Sequence, residues 1–496
     1  MILKPFTEVY KQIKTVSFLI ICLSFATMQA QVLSFKEGTF TTPKWALGQP
    51  IYEADITRVT PEGTFKAFEK QLPRLKELGV GIIWLMPIHQ RGSFRIKPEI
   101  IDSLGGAPIP VPKKYRIKGK PTSPYNIHDH YSINPNYGTK KDLKSLVDKA
   151  HSLGMYIILD WVINHTSWDH VLIDEHPEFY KRNEKGYVMY VDPWQDIAQL
   201  DHDKPETREY MINMTKYWVE EFDLDGFRTD VADRVPAVFW NDLREELNKI
   251  KPVFLLAEGF EPINHPSHDA SYDWFLSTAF WSVKEGKRNV EVLDGVLARE
   301  QAMYPEGFLK MRHATNHDTQ SSGFGWPGYA KYCDKVFDFE YFDDVPLGKK
   351  FGKGLKGFMV LATTLPNSVP MLWNGQEQGI LQRTPGTIQW ENNEWTSFYT
   401  KLLQIYREQP LLIHGDYQRV NTVKHDPKVF SFIRSKENET ILVVVNISEE
   451  NRTVAFDEEK INFSEEVINL FTEEVEKLDY SELKLDAWDF KIYKLQ

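Results

Sequence analysis

Apolar runs alternate with amphipathic stretches along most of the chain. Runs at 50–56 and 81–88 flank an amphipathic stretch at 65–78, which predicts strand, helix, strand. The alternation continues with helices at about 143–150, 211–222 and 239–250, and strands at 156–163, 226–232 and 253–257. Segments 312–316 and 369–373 read as later strands, and an eighth is inferred near 272–275. Continuous apolar runs mark parallel strands covered on both faces, so the pattern predicts an α/β fold built from βαβ units. After about residue 411 it changes. Short alternating runs at 429–434, 440–446, 452–456 and 489–494 have no helices between them and predict an antiparallel β-sandwich.

Acidic residues stand where these runs end. Asp160-Trp-Val-Ile-Asn164-His165 closes the third strand, Asp225-Gly-Phe-Arg228-Thr-Asp230 the fourth, Glu258 the fifth, and Asn316-His317-Asp318 follows the seventh. Functional groups at the ends of so many separate strands favour a closed (β/α)8 TIM barrel over an open sheet, with Asp230, Glu258 and Asp318 sharing one site. A retaining glycosidase needs a carboxylate nucleophile and a second carboxyl, roughly 5 Å away, that protonates the leaving oxygen. Arg228 lies two residues before Asp230, so both point to one face and the fixed charge favours an ionised Asp230. Glu258 follows an apolar run, where burial raises a carboxyl pKa and suits a general acid. Asp318 can accept hydrogen bonds from sugar hydroxyls, His165 and His317 can donate them, and Tyr125 can stack on a sugar's apolar face. For Asp129 and Asp160, structural and ligand-binding roles are weighed equally.

These segments resemble the four ordered signature regions of the α-amylase superfamily of retaining glycoside hydrolases (glycoside hydrolase family 13). Ser123-Pro-Tyr-Asn-Ile-His-Asp129, Tyr137-Gly-Thr139, Leu200-Asp201 and Pro370-Met-Leu-Trp-Asn-Gly-Gln-Glu377 extend the match from about residue 50 to the end. The resemblance implies a catalytic barrel within 31–410, a short inserted B domain at about 166–201, and a C-terminal β-sandwich at 411–496. It implies Asp230 as nucleophile, Glu258 as acid/base and Asp318 as transition-state stabiliser, with Tyr125, His165, Arg228 and His317 lining the subsite of the attacked glucose. The expected activity is retaining hydrolysis of α-1,4-glucosidic bonds in starch-type glucans or maltooligosaccharides. The rivals are an α-glucan transglycosylase and, from another class, a catalytically silent glycan-binding protein. No cofactor is needed for the chemistry. Asn164 and Asp201 match ligands of a structural calcium found in many relatives. The chain departs from the family at Asp233-Arg234, where many α-amylases have a Lys-His pair serving the leaving-group side and the ion.

Charge and cysteines narrow the setting. The formal charge is −11, and −13 without residues 1–30, whose net charge is +2. That argues against nucleic acid or an anionic membrane surface as partner, and a neutral glucan fits better. Lysines, an apolar run from Val16 to Ala26 and Ala30 have the layout of a secretory signal peptide, which predicts export to the periplasm or beyond. After cleavage only Cys333 remains, so no internal disulfide forms. Two long connections, about 89–124 and 166–201, are expected to shape the site. In the first, the basic stretch 91–120 is read as a solvated loop, with the further idea that it folds over one end of the cleft.

Overall fold

Eight strands close a barrel in chain order: β1 (Ile51–Ala54), β2 (Ile82–Leu85), β3 (Tyr156–Trp161), β4 (Gly226–Thr229), β5 (Phe254–Ala257), β6 (Ala270–Tyr272), β7 (Leu309–Arg312) and β8 (Ser368–Trp373). All neighbours are parallel, and β8 returns to β1 with Met371 opposite Ile51. The computed structural model describes residues 42–118, 123–319, 347–380, 387–457 and 466–495, which belong to one unit from Thr42 onward. The signal-peptide segment, Cys22 and Cys333 lie outside the described residues. No described helix is long and apolar enough to cross a membrane.

Strands β1, β2, β4, β5 and β8 are buried at every position, as their continuous apolar runs require. Gly226 opens β4 at φ 152°, and a Cβ there would stand 1.9 Å from the Phe254 carbonyl oxygen. Only glycine lets β4 approach β5 so closely.

Three expected elements shift. The helix expected over 65–78 is two helices, Phe65–Glu69 and Leu72–Leu78, because Pro73 has no N–H for a continuous helix and starts the second one instead. The strand inferred near 272–275 is β6, and it ends at Tyr272. Trp274 and Phe275 already belong to helix Trp274–Lys284, which Asp273 caps by accepting the Leu276 N–H at 3.0 Å. β7 lies earlier than expected, because buried Lys310 breaks its apolar run while 314–316 form the loop leading to His317.

Two excursions rise from the carboxyl ends of the strands. After β3, strands His165–Ser167, Tyr190–Val191 and Trp194–Gln199 make a small antiparallel sheet. After β2, the basic segment forms a hairpin of Phe94–Ile96 with Arg116–Lys118 and a helix, Pro98–Leu104. Residues 119–122 lie outside the described set. The segment packs on the small sheet's lobe: Ala107 and Val188 exchange backbone hydrogen bonds at 2.9 Å, and Gln195 Nε2 donates to Asp102 at 2.8 Å. It is an ordered part of that lobe, where a solvated loop was expected.

The C-terminal region is a six-stranded antiparallel sheet plus a two-stranded one, Arg452–Val454 with Leu483–Leu485. Along its central strands the sides alternate. Phe430, Phe432, Ile441, Val443 and Val445 join the main core, whereas Val429, Ile433, Leu442 and Val444 pack with Val454, Leu483 and Leu485. The period-2 geometry of a strand thus fastens the sheet to the barrel on one face and to the small sheet on the other. Val475–Lys477, in the charged run 473–477, is one of its two edge strands.

Candidate active site

Arg228, on β4 and fully buried, is the hub of the barrel's carboxyl end. Its Nη1 donates to Asp160 Oδ1 and Asp230 Oδ1, each at 2.8 Å, its Nη2 lies 2.9 Å from Glu258 Oε2, and its Nε donates to the Tyr272 hydroxyl at 3.1 Å. Strands β3 to β6 therefore meet at one guanidinium. Asp230 and Glu258 directly follow β4 and β5, so the barrel register itself brings them together. Val231, next to Asp230, has φ 41°, a left-handed conformation costly for a β-branched residue, and its N–H donates to Glu258 Oε2 at 2.7 Å.

Burial sets the acidities of this cluster. It pushes Asp230 up to about 6 against the pull of Arg228. It pushes Glu258 up to about 7, again opposed by Arg228 and reinforced by the Asp230 and Asp318 charges. Arg228 therefore limits a rise in Asp230; it does not hold the group in the ordinary carboxylate range.

The other expected residues converge here. The Tyr125 hydroxyl donates to Asp160 Oδ2 at 3.0 Å and lies 2.9 Å from His317 Nε2, which is 3.3 Å from Asp318 Oδ1. Asp318, with its side chain 34 % exposed, is the open member of the group. His165 is buried, burial lowers it to about 4, and its Nε2 has no hydrogen-bond partner among the described residues. Its ring lies 6.3 Å from half-buried Trp194, whereas Trp168 and Tyr180 are lobe core. Asp160 also accepts Trp84 Nε1 at 3.2 Å, and Asp129 serves its own loop by accepting the Tyr131 N–H at 2.8 Å.

The two residues matched to calcium are engaged with neighbouring protein groups. Asp201 Oδ2 faces the Lys204 ammonium at 3.7 Å and Oδ1 accepts the Asp203 N–H at 3.3 Å, while Asn164 turns Nδ2 to His165 Nδ1 at 3.3 Å. At the family departure, Asp233 accepts Phe260 N–H at 3.0 Å and Asn264 Nδ2 at 2.5 Å, tying down the loop that follows Glu258. Gly259 allows this, since a Cβ there would be 2.4 Å from Asp233 Oδ1. Arg234 lies over the Trp194 ring at 5.1 Å and donates to the Asp192 carbonyl at 3.0 Å, joining barrel to lobe.

Sequence reasoning missed Glu53, Trp84 and Tyr272 as members of the site. Glu53 carried a signal: a lone carboxylate inside the apolar run of β1 is buried and needs a partner. Trp84 and Tyr272 read as ordinary core aromatics.

A closed parallel barrel with buried carboxylates gathered at its carboxyl end defines a barrel enzyme. The α-amylase catalytic-domain model matches residues 29–196, and that of the α-amylase SusG C-terminal domain matches residues 429–489. The structure of a noncanonic maltogenic α-amylase from Thermotoga neapolitana is similar with a TM-score of 0.73 and 30 % identity, covering 90 % of this chain and 98 % of that one. An α-amylase structure from Lactobacillus plantarum gives 0.72 and 26 %, covering 92 % and 100 %. The maltogenic α-amylase of Bacillus acidopullulyticus is 25 % identical over 424 residues, which are 78 % of this chain and 63 % of that protein. The chain thus spans less than two thirds of that relative's length. The chain belongs to the α-amylase family of glycoside hydrolases.

Proposed function

We propose that this protein hydrolyses α-1,4-glucosidic bonds of starch-type glucans or maltooligosaccharides with retention of configuration. Asp230 attacks the anomeric carbon while Glu258 gives its proton to the leaving oxygen. A glycosyl-enzyme forms, and water deprotonated by Glu258 releases an α-configured product. Asp318 accepts from sugar hydroxyls as positive charge develops on the ring, Arg228 holds both reacting carboxylates, and Tyr125, His165 and His317 contact the attacked glucose. The observation that carries this reading is one guanidinium, Arg228, set 2.8 Å from Asp230 and 2.9 Å from Glu258, with burial raising both carboxyls above their ordinary range. The mechanism requires Asp230 to be ionised while Glu258 keeps its proton. The N-terminal leader supports export.

The experiment is incubation of the purified protein with maltoheptaose, with products followed over time by chromatography and Asp230→Ala as control. Shorter maltooligosaccharides that depend on Asp230 support the reading, and products longer than the substrate identify a transglycosylase. No change in the substrate would overturn it in favour of a glycan-binding scaffold.

A further inference from the structure

Glu53 sits on β1, fully buried, on the Nδ1 side of the His317 ring. Both of its oxygens engage one residue: Oε1 lies 2.5 Å from His317 Nδ1, and Oε2 accepts the His317 backbone N–H at 3.3 Å. On the other side of the ring, Nε2 faces the Tyr125 hydroxyl at 2.9 Å.

Counting protons fixes the state of this chain of groups. The Tyr125 hydroxyl has one proton, and the Asp160 carboxylate at 3.0 Å can only accept it. The Tyr125 oxygen must then accept from His317 Nε2, which therefore carries a hydrogen. Nδ1 faces Glu53 Oε1, and one proton must lie between them, so the Glu53–His317 pair holds one proton more than a carboxylate beside a neutral imidazole. Burial raises Glu53, while the Asp318 and Glu53 charges raise His317 and place that proton on the ring. We propose that Glu53 is a positioning residue that keeps His317 as a doubly protonated imidazolium, with its Nε2 hydrogen fixed toward Tyr125, Asp318 and the sugar. This rests on the hydrolase reading above.

The charges around His317 support that state. Facing it are Glu53 from β1, Asp160 from β3, Arg228 from β4 and Asp318 from its own segment, with Tyr125 and His313 beside it. Burial pulls His317 down, but the Asp318 and Glu53 carboxylates outweigh it and raise the group to about 9. The rings of Trp84 at 5.9 Å and Trp373 at 6.3 Å wall the imidazolium, so its charge is kept by carboxylates and not by solvent. A charged donor presented to a sugar hydroxyl gives a stronger hydrogen bond than a neutral one, and it acts on the reaction when that bond tightens in the transition state.

The test is Glu53→Gln, which keeps the shape and removes the charge. Expected is a fall in kcat of about 10- to 100-fold with KM changed by less than about 3-fold, as for a donor whose bond strengthens in the transition state. In the wild type the alkaline limb of kcat/KM follows Glu258 at about 7. In the variant His317 lacks one of the two carboxylates that hold its proton, so it gives that proton up at lower pH and the limb steepens and moves to lower pH. A folded Glu53→Gln with wild-type kcat and an unchanged limb overturns the proposal. Wild-type protein labelled with 13C-histidine gives a second readout that needs no catalysis, with the His317 signal assigned by its loss in His317→Asn. A titration near pH 9 supports the imidazolium, and a neutral ring at pH 7 overturns it even if maltoheptaose is hydrolysed. Failure of the wild type to cleave maltoheptaose would instead count against the hydrolase reading.

Discussion

Two buried clusters of carboxylates around an arginine lie on adjoining parts of the same barrel, and only one faces the cleft. In the first, Arg228 holds Asp160, Asp230 and Glu258 at the carboxyl ends of the strands. In the second, Arg312 of β7 holds Asp273 at 2.9 Å and Glu300 at 2.6 Å, with Lys310 donating to Ser271 Oγ at 2.8 Å. Glu300 comes from helix Glu291–Met303, so this cluster fastens strands to a helix on the barrel's outer side. Burial raises Glu300 to about 8, further than Glu258 at about 7. A displaced acidity therefore does not by itself mark a catalytic group. What separates the two is the open member, Asp318, and the left-handed Val231, both at the first cluster.

The comparison breaks most sharply under truncation. Asp230→Ala should lower turnover of maltoheptaose by about 10⁴-fold or more, since no other group can form the covalent intermediate. Glu300→Ala should leave kcat of the folded protein within about 2-fold, yet lower unfolding stability by about 1–3 kcal/mol, because Arg312 keeps Asp273 but loses the buried Glu300 hydrogen bond. Activity assays and denaturant unfolding on both variants check this pair. A catalytic collapse in Glu300→Ala without loss of stability would erase the distinction.

Acidity sharpens the comparison further. Below about 6, Asp230 takes up a proton and loses its nucleophilicity, and above about 7, Glu258 loses the proton it must donate. The kcat/KM profile should peak between these values. Both pKa values are raised above those of the unfolded chain. Their stabilising contribution is therefore fully present at low pH and lost as pH rises through about 6 to 7. Glu258→Gln should thus abolish turnover while raising stability at pH 8 by about 1–3 kcal/mol. Arg228 keeps Asp160 and Asp230 as partners in that variant, so no buried charge is orphaned. Thermal unfolding at pH 5 and pH 8 checks the sign, and equal shifts at both would refute it.

Most of the barrel could be read from the sequence because its strands bury both faces, and a continuous apolar run leaves few alternatives. Legibility failed where burial was achieved through pairing. Lys310 interrupts β7 with a charge that Ser271 and the nearby Glu300 and Asp273 compensate, so the strand was placed too late. Residues 416–419, with an exposed and half-exposed alternation, form an edge strand too polar to stand out. The reacting carboxylates were legible because each closes a strand. Glu53 was not, because its role appears only once β1 and the loop after β7 are brought side by side 264 residues apart in sequence. The packing of the basic segment on the lobe after β3 rests on backbone pairing between Ala107 and Val188, which side-chain pattern does not encode.

Backbone strain supplies the finest distinction between the clusters. Among the described residues of both, Val231 alone has a positive φ, at 41°, and it directs its N–H to Glu258. A β-branched residue in this region costs on the order of 1–3 kcal/mol, which the fold must offset elsewhere. Glycine would adopt the same φ freely while losing more entropy on folding, so Val231→Gly should change stability by about +1 kcal/mol. If the strain serves to aim the N–H, the relieved loop should hold Glu258 less firmly, and kcat should fall by about 3- to 10-fold while KM stays within about 2-fold. The two readouts are independent. A variant that gains stability and keeps full kcat would make the left-handed turn a by-product of closing the barrel, and the cleft cluster would then differ from the outer one by exposure alone.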